Sequence, residues 1–194
     1  MAEKRMYTVN PMPGYMGAQG YRGNNAFRSL YGAELSKAIR QALKEDGIKG
    51  VSVRVQTYTG GQSITLTIKA KPTDYVPMLE YVENAEWRDI APFDQVEDPL
   101  HPGHTFYWYD VDPDEQESLR YRVAEKHMRD FATGNRQINH YCLERYTEFK
   151  PEFLKKLQRI NQIVTSFNYD ESNSQVDYFD CGFYPHWYIK NEGV

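Results

Sequence analysis

The stretch from Val51 to Lys69 constrains the fold most. Val51, Val53, Val55 and Thr57 alternate with Ser52, Arg54 and Gln56. After Gly60-Gly61, Ile64, Leu66 and Ile68 alternate with Ser63, Thr65, Thr67 and Lys69. A period of two in β-branched residues around a glycine turn predicts a β-hairpin with one buried face. Arg54 and Lys69 then belong to its other face.

Helices are expected around that hairpin. Leu35, Ala38, Ile39, Ala42 and Leu43 fall on one helical face, with Lys37, Arg40 and Lys44 outside it and Gly47 as a stop. Residues 73–84 read as a second helix, with Pro77 near its start. A mainly polar helix is expected over 115–131. Ile138, Tyr141, Cys142, Tyr146 and Phe149 make a further helical stripe, and Phe153, Leu154, Leu157, Ile160 and Val164 another, behind Pro151. Residues 167–169 and 178–190 read as strands, joined by the turn-forming run 170–174. Thr105–Tyr109 is a candidate short strand inside an irregular, acidic, proline-broken stretch over 86–114. Residues 8–32, rich in Gly, Pro, Asn and Tyr, have neither helical nor strand period. They read as an arm that either docks on the core or orders on a partner; their aromatic residues favour docking.

Strands packed with helices, without regular β-α-β alternation, define an α+β class. The expected architecture is a small antiparallel or mixed sheet, formed by hairpin 51–69 and C-terminal strands, packed with several helices. The 194 residues suit one domain. Within it, residues 1–32 form the arm and an insertion-like segment of about 86–150 separates two halves of one sheet.

Charge is segregated along the chain. Residues 1–71 carry 11 Lys and Arg against 4 Asp and Glu, whereas residues 72–118 carry 1 against 13. Such blocks either make separate positive and negative faces or neutralise one another on folding. Lys37, Arg40, Lys44, Arg54 and Lys69 are the candidate contacts for phosphates or a partner. Asp110, Asp112 and Asp114 are the candidates for a basic protein surface. The 16 Tyr, 9 Phe and 3 Trp supply large buriable rings suited equally to core margins and interfaces. No apolar run reaches the roughly 18–20 residues of a membrane span, and residues 1–7 lack a signal sequence. A cytoplasmic location is therefore expected, with no membrane partner.

No known catalytic motif is present. Gly60-Gly61 lacks the Lys-Ser/Thr of a phosphate-binding loop, and the glycines at 14, 17, 20 and 23 do not follow a strand. His101 and His104, with Asp98, Asp110 and Asp112 near in sequence, match no zinc spacing. Asp170, Glu171, Asp177 and Asp180 read as turn-forming acids before they read as metal ligands. Cys142 and Cys181 match no redox or metal pattern. The expectation is a binding protein with no catalytic residue, metal or cofactor.

Two stretches carry a resemblance. One is the helix from Glu34 to Lys44 followed by the hairpin with Gly60-Gly61-Gln62-Ser63-Ile64. The other is Phe167-Asn168-Tyr169-Asp170 through Ser174, then Asp177-Tyr178-Phe179-Asp180 and Phe183-Tyr184. Together, over about 33–84 and 151–190, they resemble the twenty-ninth of the large polyvalent-protein-associated domains of phages and other mobile elements. That resemblance implies a setting, action on a host and its defences after DNA entry, and no catalytic residues. It makes inhibition of a host defence complex, CRISPR or another nuclease system, the leading expectation. A nucleic-acid-binding accessory protein and a metal-dependent enzyme are the alternatives.

Overall fold

The computed structural model describes residues 6–13, 16, 18–27, 29–91, 95–98 and 103–192. In chain order its elements are β1 (Val9–Pro13), β2 (Gln19–Gly23), α1 (Ala33–Glu45), β3 (Val51–Tyr58), β4 (Gly61–Ala70), α2 (Met78–Asn84), α3 (Trp87–Ile90), β5 (Gln95–Glu97), β6 (Thr105–Tyr107), α4 (Pro113–Phe131), β7 (Asn135–Ile138), α5 (Pro151–Thr165), β8 (Tyr169–Asp170) and β9 (Tyr184–Asn191). The strands form three sheets, ordered β1-β2-β8, β3-β4-β9-β7 and β5-β6. The class is α+β, and the hairpin and the C-terminal strand share one sheet. No described helix is long and apolar enough to cross a membrane.

The chain forms two compact units. The first takes residues up to Lys69, Gln137–Tyr141 and Lys155–Lys190; the second takes Ala70–Arg136, Cys142–Leu154 and the C-terminal residues from Asn191.

In the first unit, β3 and β4 pair in antiparallel register, Val53 opposite Leu66 and Arg54 opposite Thr65. The turn is Thr59-Gly60, because Tyr58 pairs with Gly61. Val53, Ile64, Leu66, Ile68, Trp187 and Ile189 form the buried face. Helix α1 contributes Leu35, Ile39, Ala42 and Leu43 to the same core, each large apolar side chain worth about 1.5–3 kcal/mol of burial. Its end is fixed by the hydrogen bonds Gly47 N–H to Lys44 O and Ile48 N–H to Leu43 O. This motif needs a left-handed residue, and Gly47 supplies it at φ 77°. Asp46, just before it, receives two hydrogen bonds from the Arg159 guanidinium, at 2.6 and 2.9 Å. The same guanidinium lies 5.1 Å from the Tyr7 ring centre, so one α5 residue holds both the end of α1 and the N-terminal segment.

The turn-rich arm expected over 8–32 contains two strands that its sequence period does not show. Strands β1 and β2 pair antiparallel, and β2 pairs with β8, Tyr21 opposite Asp170. Pro11 and Pro13 are tolerated because β1 is the outer strand of that sheet. Arg22 forms an ion pair with Glu171, just beyond β8.

The second unit centres on α4. Leu119, Val123, Ala124, Met128 and Phe131 are buried along it, and Tyr75, Phe131 and Phe149 form an aromatic cluster. Arg120 donates to the carbonyls of Val82 and Ala85 at 3.0 and 2.5 Å, placing a cation at the C-terminal end of α2. The stripe expected over 138–149 is not a helix. Ile138 ends β7, 143–145 is a single 3-10 turn, and Phe149 bridges to Tyr75. The second helix starts at Met78 rather than 73, since 72–74 is a 3-10 turn and the extended backbone of Pro77 supplies the N-cap. Within 86–114 the candidate strand at 105–109 forms as β6, and α3 and β5 add order that was not expected. Pro92, Pro99, His101 and Pro102 lie outside the described residues.

Candidate functional site

The first unit contains a groove of about 350 Å³ where the N-terminal segment meets the β3–β4 turn and the approach to β9. Leu35, Gln62, Phe167 and Phe183 are buried at its floor. Gln62 organises it. Its side-chain oxygen accepts from Gly32 N–H at 2.8 Å, and its amide nitrogen donates to Gly182 O at 3.0 Å. Tyr31 reinforces the join by donating its hydroxyl to Gly61 O at 2.9 Å. Asn168 holds the other wall, accepting from Phe183 N–H at 2.9 Å and donating to Phe183 O and to the Tyr21 hydroxyl.

The rim is aromatic and exposed. Phe27 is 61% and Phe179 63% exposed, and Tyr31 and Tyr184 are also open to solvent. Each of these four rings keeps between 45% and 63% of its surface in solvent. Two titratable groups lining the groove are shifted by their surroundings. Burial pushes the Cys181 thiol up, and Asp170 and Asp180 push the same way, against a hydrogen bond from Tyr184 that lowers it. Tyr184 is itself pushed up to about 12, first by that hydrogen bond and then by burial. A protonated thiol is a poor nucleophile.

Two stretches singled out in the sequence, around Gly60-Gly61-Gln62 and from Phe167 to Tyr184, meet here. Gly60, Gly61 and Gln62 from one, and Phe167, Tyr169, Phe179, Asp180, Phe183 and Tyr184 from the other, line the same groove. Phe27 and Tyr31 were not singled out as contacts from sequence, because nothing local distinguishes an exposed ring from a buried one.

The sequence candidates fall in three places. Lys37, Arg40 and Lys44 are exposed on the solvent face of α1, where Arg40 donates to Ser36 Oγ at 3.2 Å. Arg54 and Lys69 are exposed on the outer face of the sheet, the side away from α1. These five were grouped as one basic set; the structure divides them across the two sides of the sheet. Asp110, Asp112 and Asp114 lie in the second unit at the start of α4. There Asp112 is the N-cap, accepting from Asp114 N–H at 2.9 Å, and Asp114 sits in the first turn, where a negative charge is favoured.

The other candidates have local partners. Glu171 pairs with Arg22, Asp170 accepts from Ser172 N–H, and Asp177 adopts a left-handed turn conformation. Cys142 and Cys181 are not joined in a disulfide. Among the described residues no three His, Cys, Asp or Glu side chains are grouped to hold a metal ion; His101 is outside them.

A second, smaller cavity of about 110 Å³ lies beside His140 and Trp187, whose rings stack 5.7 Å apart. Burial, helped by His186, lowers the His140 pKa from 6.5 to about 4. The folded state thus favours neutral His140. Its contribution is fully present above pH 6.5, and is lost as pH falls from 6.5 towards 4. After discounting for partial solvent access, the loss is about 2 kcal/mol. Urea unfolding at pH 7.5 and 4.5 should differ by that much more in the native chain than in His140→Phe. Equal pH dependence in the two proteins would contradict the assignment.

No known protein family, curated protein or solved structure matches this chain.

Proposed function

We propose that the chain is a non-enzymatic binding protein that docks a host defence complex through the aromatic-rimmed groove of its first unit. The observation that carries this reading is the rim itself. Exposed Phe27, Tyr31, Phe179 and Tyr184 stand over a floor held rigid by Gln62 and Asn168. Rigid aromatic anchors around a preformed pocket are the usual centres of protein interfaces. The groove is lined by the residues that resemble the polyvalent-protein-associated domains, and this supports a mobile-element setting and a defence target. The protonated Cys181 thiol supports binding over nucleophilic chemistry.

The test is affinity purification of the tagged chain from a bacterial host, with mass spectrometry of the recovered protein and sequencing of any nucleic acid. The expected result is stoichiometric recovery of subunits of one nuclease-type defence complex. Recovery of no defence component contradicts the reading.

A further inference from the structure

The outer face of the four-stranded sheet is exposed along β3 and most of β9 and half-buried along β4 from Ser63 to Thr67. Strand alternation places Ser52, Arg54 and Gln56 of β3 and Ser63, Thr65, Thr67 and Lys69 of β4 on it. On β9, Trp187 and Ile189 point into the core, so Tyr184, His186, Tyr188 and Lys190 point out. Arg54, Lys69, Tyr184, His186 and Lys190 are exposed, and Tyr188 is half-buried.

Three properties of this face coincide. First, β3, β4 and β9 contain no Asp or Glu, in a chain that has 27. The face is therefore cationic in a chain of net charge −4. Second, Tyr184, His186 and Tyr188 form one row of rings along β9. Alternate residues on a strand are about 6.5–7 Å apart, which leaves each ring room to take a separate base. Third, β9 sits between β4 and β7, beside a strand that presents Ser63, Thr65 and Thr67. Those hydroxyls both donate and accept, as a ribose 2′-hydroxyl requires.

We infer that this face binds single-stranded RNA, with bases on His186 and Tyr188, phosphates on Arg54, Lys69 and Lys190, and ribose against the β4 hydroxyls. A flat, open sheet offers stacking platforms to unpaired bases and does not enter the groove of a duplex. This binding surface is separate from the groove proposed above, which it meets only at Tyr184.

The test is fluorescence anisotropy of the full chain with a labelled twelve-nucleotide single-stranded RNA, the same DNA sequence, and the RNA duplex. Three neutralised phosphates predict about 20-fold weaker RNA binding as salt rises from about 50 to 200 mM. Arg54→Gln/Lys190→Gln, at exposed positions, should flatten that salt dependence. His186→Ala/Tyr188→Ala should weaken binding at least about tenfold. Phe27→Ala/Phe179→Ala should leave it unchanged, and DNA and duplex should bind more weakly. Absence of RNA binding at low salt, or binding indifferent to both sheet variants, overturns the proposal. Equal affinity for the DNA overturns the ribose assignment. Protection of this face by a protein partner, without RNA binding, assigns it to that partner instead.

Discussion

Gly23→Ala is expected to destabilise the protein by about 4 kcal/mol. Gly23 ends β2 and passes directly over the backbone of Ser166, at the end of α5. A Cβ placed there would lie 2.1 Å from Ser166 O and 2.3 Å from Ser166 C. Those are backbone atoms, so no rotamer change relieves the contact. The strand must move away. That movement breaks the hydrogen bonds from Gly23 N–H to Asn168 O and from Asn25 N–H to Ser166 O. Overpacking costs about 1–3 kcal/mol and each lost hydrogen bond about 1 kcal/mol. Asn168 also positions Phe183, so the disturbance reaches the groove wall. Urea unfolding of the variant measures the cost; a loss under about 1 kcal/mol would show that β2 is not held this closely.

Arg159→Ala is expected to cost about 3 kcal/mol. It leaves the Asp46 carboxylate, whose side chain is only 5% exposed, without its guanidinium. The reverse change, Asp46→Ala, should cost less. Arg159 is 27% exposed and can keep its hydrogen bond to Gln162 at 3.1 Å and its water contacts. The double variant should cost less than the sum, because it leaves no charge unpaired. A double-mutant cycle with a coupling below about 0.5 kcal/mol would mean the pair is solvated in solution.

The parts of this fold legible in sequence are those whose period is local. Helix α1, the β3–β4 hairpin and α5 each carry their own apolar repeat and their own stop. Strands β1 and β2 do not. Their glycines and prolines hide any alternation, and they are strands through the five-residue pairing of β1 with β2 and the pairing of β2 with β8 at Tyr21 and Arg22. Between 138 and 149 the failure runs the other way. Of the residues at helical spacing, Ile138 is buried in a strand and Phe149 against Tyr75, whereas Tyr141 is 76% exposed. Spacing alone therefore fixed neither the element nor the burial of every residue in the stripe. The site was legible by half. Gly60-Gly61-Gln62 and Phe183-Tyr184 stood out as motif residues. Phe27 and Tyr31 join them only through the long-range hydrogen bonds that Gln62 makes to Gly32 and Gly182. The basic candidates were legible as charges but not as sides. Strand alternation puts Arg54 and Lys69 away from the core, and only the packing of α1 places Lys37, Arg40 and Lys44 across the sheet from them.

The groove as a protein-docking site is tested most directly by measuring the Kd of the purified defence complex for the native chain and for Phe27→Ala/Phe179→Ala. Both rings are more than 60% exposed, so the variant should keep the native unfolding midpoint. If these rings are interface anchors, each worth about 2 kcal/mol, the account predicts a Kd several hundredfold weaker. A Kd within about threefold of the native value, in a variant that remains folded, would contradict it.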